Sequence, residues 1–348
     1  MRIDRLQNIA KKKVSTLKPP LLNSHSAFVE KAWGLTSIRK DYNFLQWKFK
    51  SADPHNIAGL LVYVENEEVQ GQLGVIPDKV KIDGQVHACQ WGCNFKCLPE
   101  YEGSGIGALL DIASLEKTEI TFGVSPTKQS EDIKRRLGFT LLEGPRVLMY
   151  PVDFYHLISL KLPPKLRFSR VAFKALFQAV YKIIFNKIQR KSISQIDVFE
   201  GDWKDIFSFL KKARAKISIP HVVHDEQFMH WRCDELPKYR SSALSLYTNL
   251  GSFVVCNVGN PYLMINEYNF VNRNEGVELL KKCFQKAKEM GARTLKVYAN
   301  NSDQESLFSS LGFIPLRHRV TVYAHTNNSN INLGRKFHYD GYDGESNL

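Results

Sequence analysis

The chain has 348 residues and a net charge of +13, with 43% hydrophobic and 24% charged residues. This length predicts two domains of about 150 to 180 residues each. The sequence contains no apolar run long enough to span a bilayer, residues 1–20 lack the apolar core of a signal peptide, and the six cysteines fit a reducing compartment, so we expect a cytoplasmic protein. The positive charge favours anionic partners such as phosphorylated cofactors, nucleotide sugars, RNA or acidic lipid surfaces, without choosing among them.

The first half begins with paired strands. Gly59–Glu65 and Gln72–Pro77 read as strands around a polar turn. Val80–Ile82 and Gln85–His87 flank Asp83-Gly84, a dipeptide typical of tight hairpin turns. The sequence therefore predicts an antiparallel sheet at the start of this half.

A glycine-rich loop follows the apolar run that starts at Ala88. Gly103, Gly105 and Gly107 fall within five residues, at the start of a predicted helix over residues 104–117. Glycines leave successive backbone N–H groups uncovered, and at a helix N-terminus such groups can hold a pyrophosphate. The loop is either an ordinary turn or the cradle of a nucleotide-bearing cofactor.

The rest of the first half alternates strand and helix. Ile120–Val124 reads as a strand, Ser130 caps a short helix that closes at Gly138, and Arg146–Pro151 reads as a final strand. The element order predicts a mixed α/β fold (α+β mixed sheet).

Three cysteines recur every four residues, at Cys89, Cys93 and Cys97. On a strand, four residues span roughly 13 Å, too far for one metal to bridge neighbouring thiolates. We expect structural thiols on one strand face and no metal site.

The chain also repeats itself. Asp41–Lys48 recurs as Asp225–Arg232 with its acid, phenylalanine, tryptophan and terminal base in register, and Leu137-Gly138-Phe139 recurs as Leu311-Gly312-Phe313. Copies about one domain long indicate a tandem duplication. The predicted elements of the second half are strand Tyr262–Tyr268, helix Glu275–Met290, strand Thr294–Ala299, helix Gln304–Ser310 and strand Val320–Ala324.

Two further segments stand out. Residues 154–196 contain nine Lys or Arg and no Asp or Glu, and their spacing predicts an amphipathic basic helix. Such a helix either packs on the domains, lies on an anionic membrane surface or binds RNA.

Beyond residue 325, aromatic residues alternate with carboxylates in Phe337–Glu345. This tail is either solvated or folds back along a substrate cleft, with Asp340 or Asp343 facing an amine or sugar hydroxyls.

The element order, the segment Pro99–Gly107 and the two Leu-Gly-Phe closures resemble the GNAT superfamily of N-acyltransferases in its tandem two-domain form. The resemblance implies an N-terminal domain over 1–152 with the acyl-CoA loop and a connector over 153–196. It further implies a degenerate C-terminal domain over 197–325 and a tail over 326–348.

The family binds acyl-CoA in a gap between two splayed parallel strands. By this resemblance, backbone at Phe95, Cys97 and Leu98 would hold the acyl and pantetheine arm. The pyrophosphate would lie on the loop residues Gly103, Ser104, Gly105, Ile106 and Gly107.

The chain also departs from the family pattern. Glu102 stands where arginine or glutamine is usual, no acid occurs at Gln90–Gly92, and Lys134 and Phe308 occupy the positions of a proton-donating tyrosine. His87 and Asp343 are the candidate catalytic residues, His87 as a base near the start of the same strand.

The expected activity is transfer of an acyl group, with acetyl-CoA or another acyl-CoA as co-substrate, to a small amine. An amino sugar on a nucleotide or lipid carrier of surface-polysaccharide synthesis is the preferred acceptor. Two alternatives stay open: a Fem-type transferase that uses aminoacyl-tRNA and binds it through the connector, and a non-catalytic binding protein with this fold.

Overall fold

The computed structural model describes residues 3–51, 53, 56–153, 196–235, 242–259 and 262–343. The predicted basic connector therefore lies outside the described residues, apart from its two ends. Among the described residues, no helix combines the length and apolarity that crossing a bilayer requires.

In the part of the chain that the structure describes, helices flank a single mixed sheet. The helices are α1 Ile3–Lys13, α2 Leu22–Trp33, α3 Tyr42–Lys48, α4 Ile106–Leu115, α5 Lys128–Arg136, α6 Trp203–Arg214, α7 Glu226–Met229, α8 Arg273–Glu289 and α9 Ser302–Ser310. The first strands are β1 Val14–Leu17, β2 Ile57–Glu65, β3 Glu68–Ile82, β4 Gln85–Cys97, β5 Ile120–Val124 and β6 Thr140–Pro151. The later strands are β7 Phe199–Gly201, β8 His221–Val222, β9 Ser242–Tyr247, β10 Phe253–Gly259, β11 Tyr262–Asn269, β12 Thr294–Ala299 and β13 Ile314–Thr326.

The predicted mixed α/β sheet is confirmed, with longer strands than the sequence indicated. The two strands predicted within residues 72–82 form one strand, β3, which pairs with β2 on one side and β4 on the other. The helix predicted to be capped by Ser130 is instead capped by Thr127, whose side chain accepts the Ser130 N–H. Helix α4 starts at Ile106, two residues later than predicted, because Gly105 in the left-handed region is its N-cap.

The final strands of the two halves change places within the sheet. The strand order is β1-β2-β3-β4-β5-β13-β6-β12-β11-β10-β9-β7, and β8 pairs with β3. Strand β13 lies antiparallel to β5 of the first half, whereas β6 lies antiparallel to β12 of the second. Each half thus completes its sheet with the last strand of the other.

The repeated octapeptides meet at the junction. The Trp47 indole Nε1 donates to the Trp231 carbonyl at 3.1 Å, and the Trp231 indole Nε1 donates to the Trp47 carbonyl at 2.8 Å. Their ring centroids are 5.7 Å apart. This reciprocal contact relates residues 184 positions apart, the offset of the sequence repeat.

Three hydrophobic clusters fill the core. One spans both halves beneath α2, α3 and α6 and includes Phe44, Trp91 and Trp231. A second lies beneath α8 and α9, and a third beneath α1 and α4.

The tail enters the first cluster. Phe337, Tyr339 and Tyr342 are buried there, and both Phe337 and Tyr339 contact the ring of Trp91 edge-on. The interpretation of a solvated tail is therefore wrong as far as residue 343, because burying three large aromatic side chains outweighs the entropy of leaving the segment free.

The reciprocal tryptophan hydrogen bonds should contribute measurably to the free energy of unfolding. Trp47→Phe or Trp231→Phe removes one indole donor and leaves a carbonyl without its partner, so we expect each to lower the free energy of unfolding by about 1–2 kcal/mol. Urea denaturation followed by circular dichroism measures this. Trp33→Phe, at a half-buried site away from the pair, is the control, and equal losses in all three variants would contradict the role of the paired bonds.

Candidate functional site

A gap opens beside β4 in the first half. Strands β4 and β5 run parallel from Cys89 opposite Ile120 to Gly92 opposite Gly123, where the pairing ends. Strand β4 continues for five more residues, hydrogen-bonded to β3, while Ser125 after β5 donates its N–H to Thr321 of β13 at 2.8 Å. Within the described residues, the edge of β4 from Cys93 to Cys97 has no partner strand on the β5 side. We call this space the first gap.

A bulge lies at the start of this free edge. Asn94 has a φ of +49°, and the register of β4 against β3 shifts there. The extra residue turns the following side chains over, so Phe95 and Cys97 face α4 while Cys89 and Cys93 face the opposite core. The prediction that all three cysteines share one strand face is therefore wrong for Cys97.

Polar side chains surround the bulge. Lys48 Nζ and Arg39 Nε donate to the Asn94 side-chain oxygen at 3.3 and 3.2 Å, and Gln72 Nε2 donates to the Asn94 carbonyl at 3.2 Å. Gln72 also bonds the ring of His25 at 2.9 Å, and burial lowers the pKa of His25 to about 4, which keeps this imidazole neutral at physiological pH. The sequence offered no motif for this cluster, because its five members come from five separate segments of the chain.

The glycine loop closes the first gap at the end of β4. A short turn, Pro99–Tyr101, leads to Gly103 and Gly105, whose φ angles are +83° and +90°. Gly105 caps α4 without any side-chain hydrogen bond, and no acidic residue lies in the first helical turn. The first amides of α4 thus lack a side-chain acceptor and lie on the positive end of the helix dipole.

The loop residues differ in what they contribute. A Cβ at Gly103 or Gly105 would meet nothing within 4 Å, so these glycines serve the backbone conformation. At Gly107, a Cβ would lie 2.8 Å from Cζ of Phe95, so this glycine allows close packing of helix on strand. The Leu98 N–H donates to the Gln70 carbonyl at 3.0 Å and is already occupied. Burial, followed by the charge of exposed Glu102, raises the pKa of Cys97 to about 11, so this thiol stays protonated at neutral pH.

A buried ion pair lies at the closed end of the first gap. Lys134 Nζ is 3.0 Å from Oδ1 of Asp111, and their side chains are 7% and 2% exposed. The Lys134 side chain passes against Gly123, the last paired residue of β5. Burial raises the pKa of Asp111, and the positive charge of Lys134 opposes this shift. The pair fixes α5 to α4 and places a cation beside the point where the strands separate.

The structure does not bring His87 to this gap. His87 lies on β4 opposite Val80, seven residues before the bulge, which corresponds to about 23 Å along an extended strand. Its Nδ1 is 3.6 Å from a carboxylate oxygen of Glu119. Its role as the catalytic base stays a prediction, and the loop residues are the sequence-predicted site residues that the structure places together.

Asp343 lies in the second half, within a buried polar network. Its Oδ1 is 2.8 Å from His224 Nε2, and His224 Nδ1 bonds the Glu267 carboxyl. Arg214 Nη1 donates to both Glu267 and Asp340 at 2.8 Å. His224, Glu267 and Asp340 also lie close enough to form a candidate metal site, but the guanidinium already occupies the space between the two carboxylates. This donor set does not fit a cation.

A neutral imidazole donates through only one of its nitrogens, so one of the carboxyls beside His224 carries a proton. Burial lowers the pKa of His224 to about 4 and raises that of Glu267 to about 8 and that of Asp343 to about 6. The network therefore holds protons at neutral pH that exposed carboxyls would have released.

The tail fills the gap of the second half. Strands β11 and β12 pair in parallel as far as Ile265 opposite Val297, and Asn266 forms the bulge that follows. The Gly341 N–H donates to the Asn266 carbonyl at 3.0 Å, and the Tyr339 N–H donates to the Asn300 side chain at 2.8 Å. The tail thus bonds both sides of this gap and leaves a cavity of only about 110 Å³.

We compared the sequence and the structure with known proteins. No protein-family model matches the sequence, and no curated protein does. Solved structures do match along most of the chain. A GCN5-related N-acetyltransferase from Kribbella flavida aligns with a TM-score of 0.58 and 14% identity over 90% of this chain and 71% of its own. The chain has the GNAT fold.

Two further structures support this fold assignment. A GCN5-related N-acetyltransferase from Anabaena variabilis aligns with a TM-score of 0.60 and 11% identity over 91% of this chain and 73% of its own. The N-myristoyltransferase of Saccharomyces cerevisiae, solved with bound myristoyl-CoA, aligns with a TM-score of 0.56 and 10% identity over 93% of this chain and 87% of its own. The likeness therefore includes both halves of the chain.

The buried ion pair predicts an asymmetric response to mutation. Lys134→Met leaves Asp111 buried without a counter-charge, so we expect a loss of about 3–5 kcal/mol in the free energy of unfolding. The double variant Asp111→Leu/Lys134→Met removes both charges and should regain most of that loss. Guanidinium denaturation of the three proteins measures both effects, and a near-neutral single variant would show that the pair is not buried as described.

The raised pKa of Glu267 predicts a pH-dependent stability. Its pKa is about 8 in the folded protein and near 4.5 when unfolded, so its contribution to stability falls as pH rises between these values. His224 and Asp343 titrate below pH 6.5 in the folded protein, which leaves Glu267 as the main member of this network between pH 6.5 and 8.5. We expect the melting temperature of the native protein to fall across this window, and that of Glu267→Gln to fall less. Parallel slopes for the two proteins would contradict the assignment.

Proposed function

We propose that the protein is an acyl-CoA-dependent N-acyltransferase whose co-substrate binds in the first half. The observation that carries this proposal is the combination of a splayed parallel strand pair with a helix N-terminus that has no side-chain cap, at the open end of the pair. The free edge of β4 offers backbone donors and acceptors to an amide-bearing pantetheine arm. Two glycines in the left-handed region expose amides to a pyrophosphate.

The residues of the first half fit such a ligand. The amides from Gly103 to Gly107 would hold the pyrophosphate, and the β4 backbone at Phe95 and Cys97 would hold the arm. Glu102 is exposed, so its charge is screened by solvent and does not exclude an anion held by amides. In the second half the tail occupies the corresponding gap, which supports a single co-substrate site in the first.

Acyl-CoA supplies an activated thioester when bound. The chain itself would orient the amine, keep water away from the gap and stabilise the negative charge that develops on the carbonyl oxygen, through strand amides and nearby cations. Lys134 places one cation at the closed end of the gap, and Lys48 and Arg39 place two at the bulge. His87 and Asp343 both lie away from these groups, and their catalytic roles stay predictions.

We further propose that the acceptor is a small amine, with an amino sugar on a nucleotide or lipid carrier as the preferred class and acetyl-CoA as the preferred donor. The net charge of +13 suits a phosphorylated acceptor. The repeated octapeptides and their reciprocal tryptophan bonds support an origin by tandem duplication, in which one copy kept the co-substrate site.

Substitution at the loop tests the proposal. Gly105→Asp adds a carboxylate and a strained positive φ beside the expected pyrophosphate, so we expect acetyl-CoA binding to weaken at least about ten-fold in calorimetric titration. Gly84→Asp is the matched control: Gly84 also has a positive φ, of +84°, and free space around it, but lies in the β3–β4 turn.

Two results would contradict the proposal. Equal acetyl-CoA binding by both variants and the native protein would remove the loop from the site. Tight, salt-sensitive tRNA binding with no affinity for acyl-CoA would instead favour the aminoacyl-tRNA-dependent alternative.

A further inference from the structure

A large groove lies where the repeated octapeptides meet. It has a volume of about 780 Å³, within the range of small-molecule sites, and is lined by residues of α3, β3, α7 and the turn after α7. Trp47, Phe228 and Trp231 provide its aromatic surface, and Asp78, Asp225 and Glu235 its carboxylates. We call it the central groove.

Two cations lie over these rings. The buried Arg232 guanidinium, which does not line the groove, has its Cζ 4.1 Å from the centroid of the Trp231 ring and 5.7 Å from that of Phe228. The Lys50 ammonium is 3.9 Å from the centroid of the Trp231 ring and 5.6 Å from that of Phe228. Among the described residues, no hydrogen bond or ion pair holds this ammonium, and the residue itself is exposed. The ring faces attract the Lys50 ammonium, and its charge also interacts favourably with Asp78 and Asp225 and unfavourably with Arg232.

The carboxylates of the groove favour such a cation. Partial desolvation lowers the pKa of Lys50, and the charges of Asp78 and Asp225 oppose this effect. Asp225 already pairs with Lys79 at 2.9 Å, and His230 pairs with Asp234 and Glu235. Asp78 bonds only the Lys79 backbone N–H, at 2.9 Å, through Oδ1, while its Oδ2 makes no well-formed hydrogen bond within the described residues. Burial raises the pKa of Asp78, and the positive charges of Lys50 and Arg232 oppose this shift.

A short stretch of chain links the groove to the bulge of β4. Lys48 and Lys50 are two residues apart, so their Cα atoms lie within about 7 Å. Lys48 bonds Asn94 at the bulge, whereas Lys50 faces the groove.

We propose that the central groove binds a ligand that carries a primary ammonium group. The Lys50 ammonium occupies the position that the ligand's ammonium would take, and the ligand would displace it. The ligand's ammonium would lie on the Trp231 and Phe228 rings and pair with Asp78, while the Lys50 side chain moves out to solvent. The role of this ligand as acyl acceptor rests on the proposed function, but its binding does not require acyl-CoA.

Titration with 1,5-diaminopentane tests the proposal, with neutral 1,5-pentanediol as the matched ligand and tryptophan fluorescence as the readout. We expect the diamine to bind the native protein in preference to the diol. Lys50→Gln removes the internal competitor, so it should bind the diamine at least about five-fold more tightly. Lys12→Gln, which changes the net charge equally on an exposed face of α1, should bind as the native protein does.

Asp78→Asn should weaken diamine binding at least about five-fold, whereas Asp83→Asn, in the nearby turn, should not. If Asp78→Asn fails to fold, the Lys50→Gln titration decides alone. Unchanged or weaker binding by Lys50→Gln, or equal binding of diol and diamine, would overturn the proposal.

Acetyl-CoA binding is measured on the same proteins. If acetyl-CoA still binds but the diamine binds no better than the diol, the groove assignment is wrong and the acyl-CoA site stands. If the diamine binds preferentially but acetyl-CoA does not bind, the acyl-CoA site is wrong and the groove assignment stands.

Discussion

The exchange of final strands between the two halves is the constraint on which the rest of the molecule depends. Because β13 lies between β5 and β6, neither half can complete its sheet without the other. The halves are thereby fixed edge to edge, which brings the repeated octapeptides into contact and encloses the central groove between them. The tail that follows β13 begins beside the first half and returns into the core.

The two halves share a strand bulge in the same position of the fold, but its surroundings differ between them. In each, a bulge follows the last residue pair of a parallel strand pair, and the sheet opens. In the first half the opening meets a glycine loop and a helix N-terminus without a side-chain cap. In the second, Asn272 caps helix α8 with its side chain, and the tail bonds across the opening. A shared backbone geometry therefore opens onto a glycine loop in one half and is filled by the packed tail in the other.

The buried charged side chains of the described residues lie beside groups that can neutralise them. Asp111 and Lys134 form an isolated pair, whereas Arg214 serves two carboxylates and His224 stands between two carboxyls. Such groups tolerate burial only with partners or with shifted protonation, and both occur here. Tail residues supply two of the carboxylates, so the order of the tail and the charge state of the second half depend on each other.

Local sequence signals determined the strand pairs of the first half, the helix after the glycine loop and the repeat, because glycine spacing, apolar alternation and duplicated motifs act over short range. They also located the loop residues Gly103 to Gly107. Only the tertiary structure decided the exchange of β6 and β13, the position of Cys97 on the α4 face, the burial of the tail and the network of Asp343 with His224. These features depend on one bulge and on contacts between residues more than a hundred positions apart, for which the chain carries no local pattern.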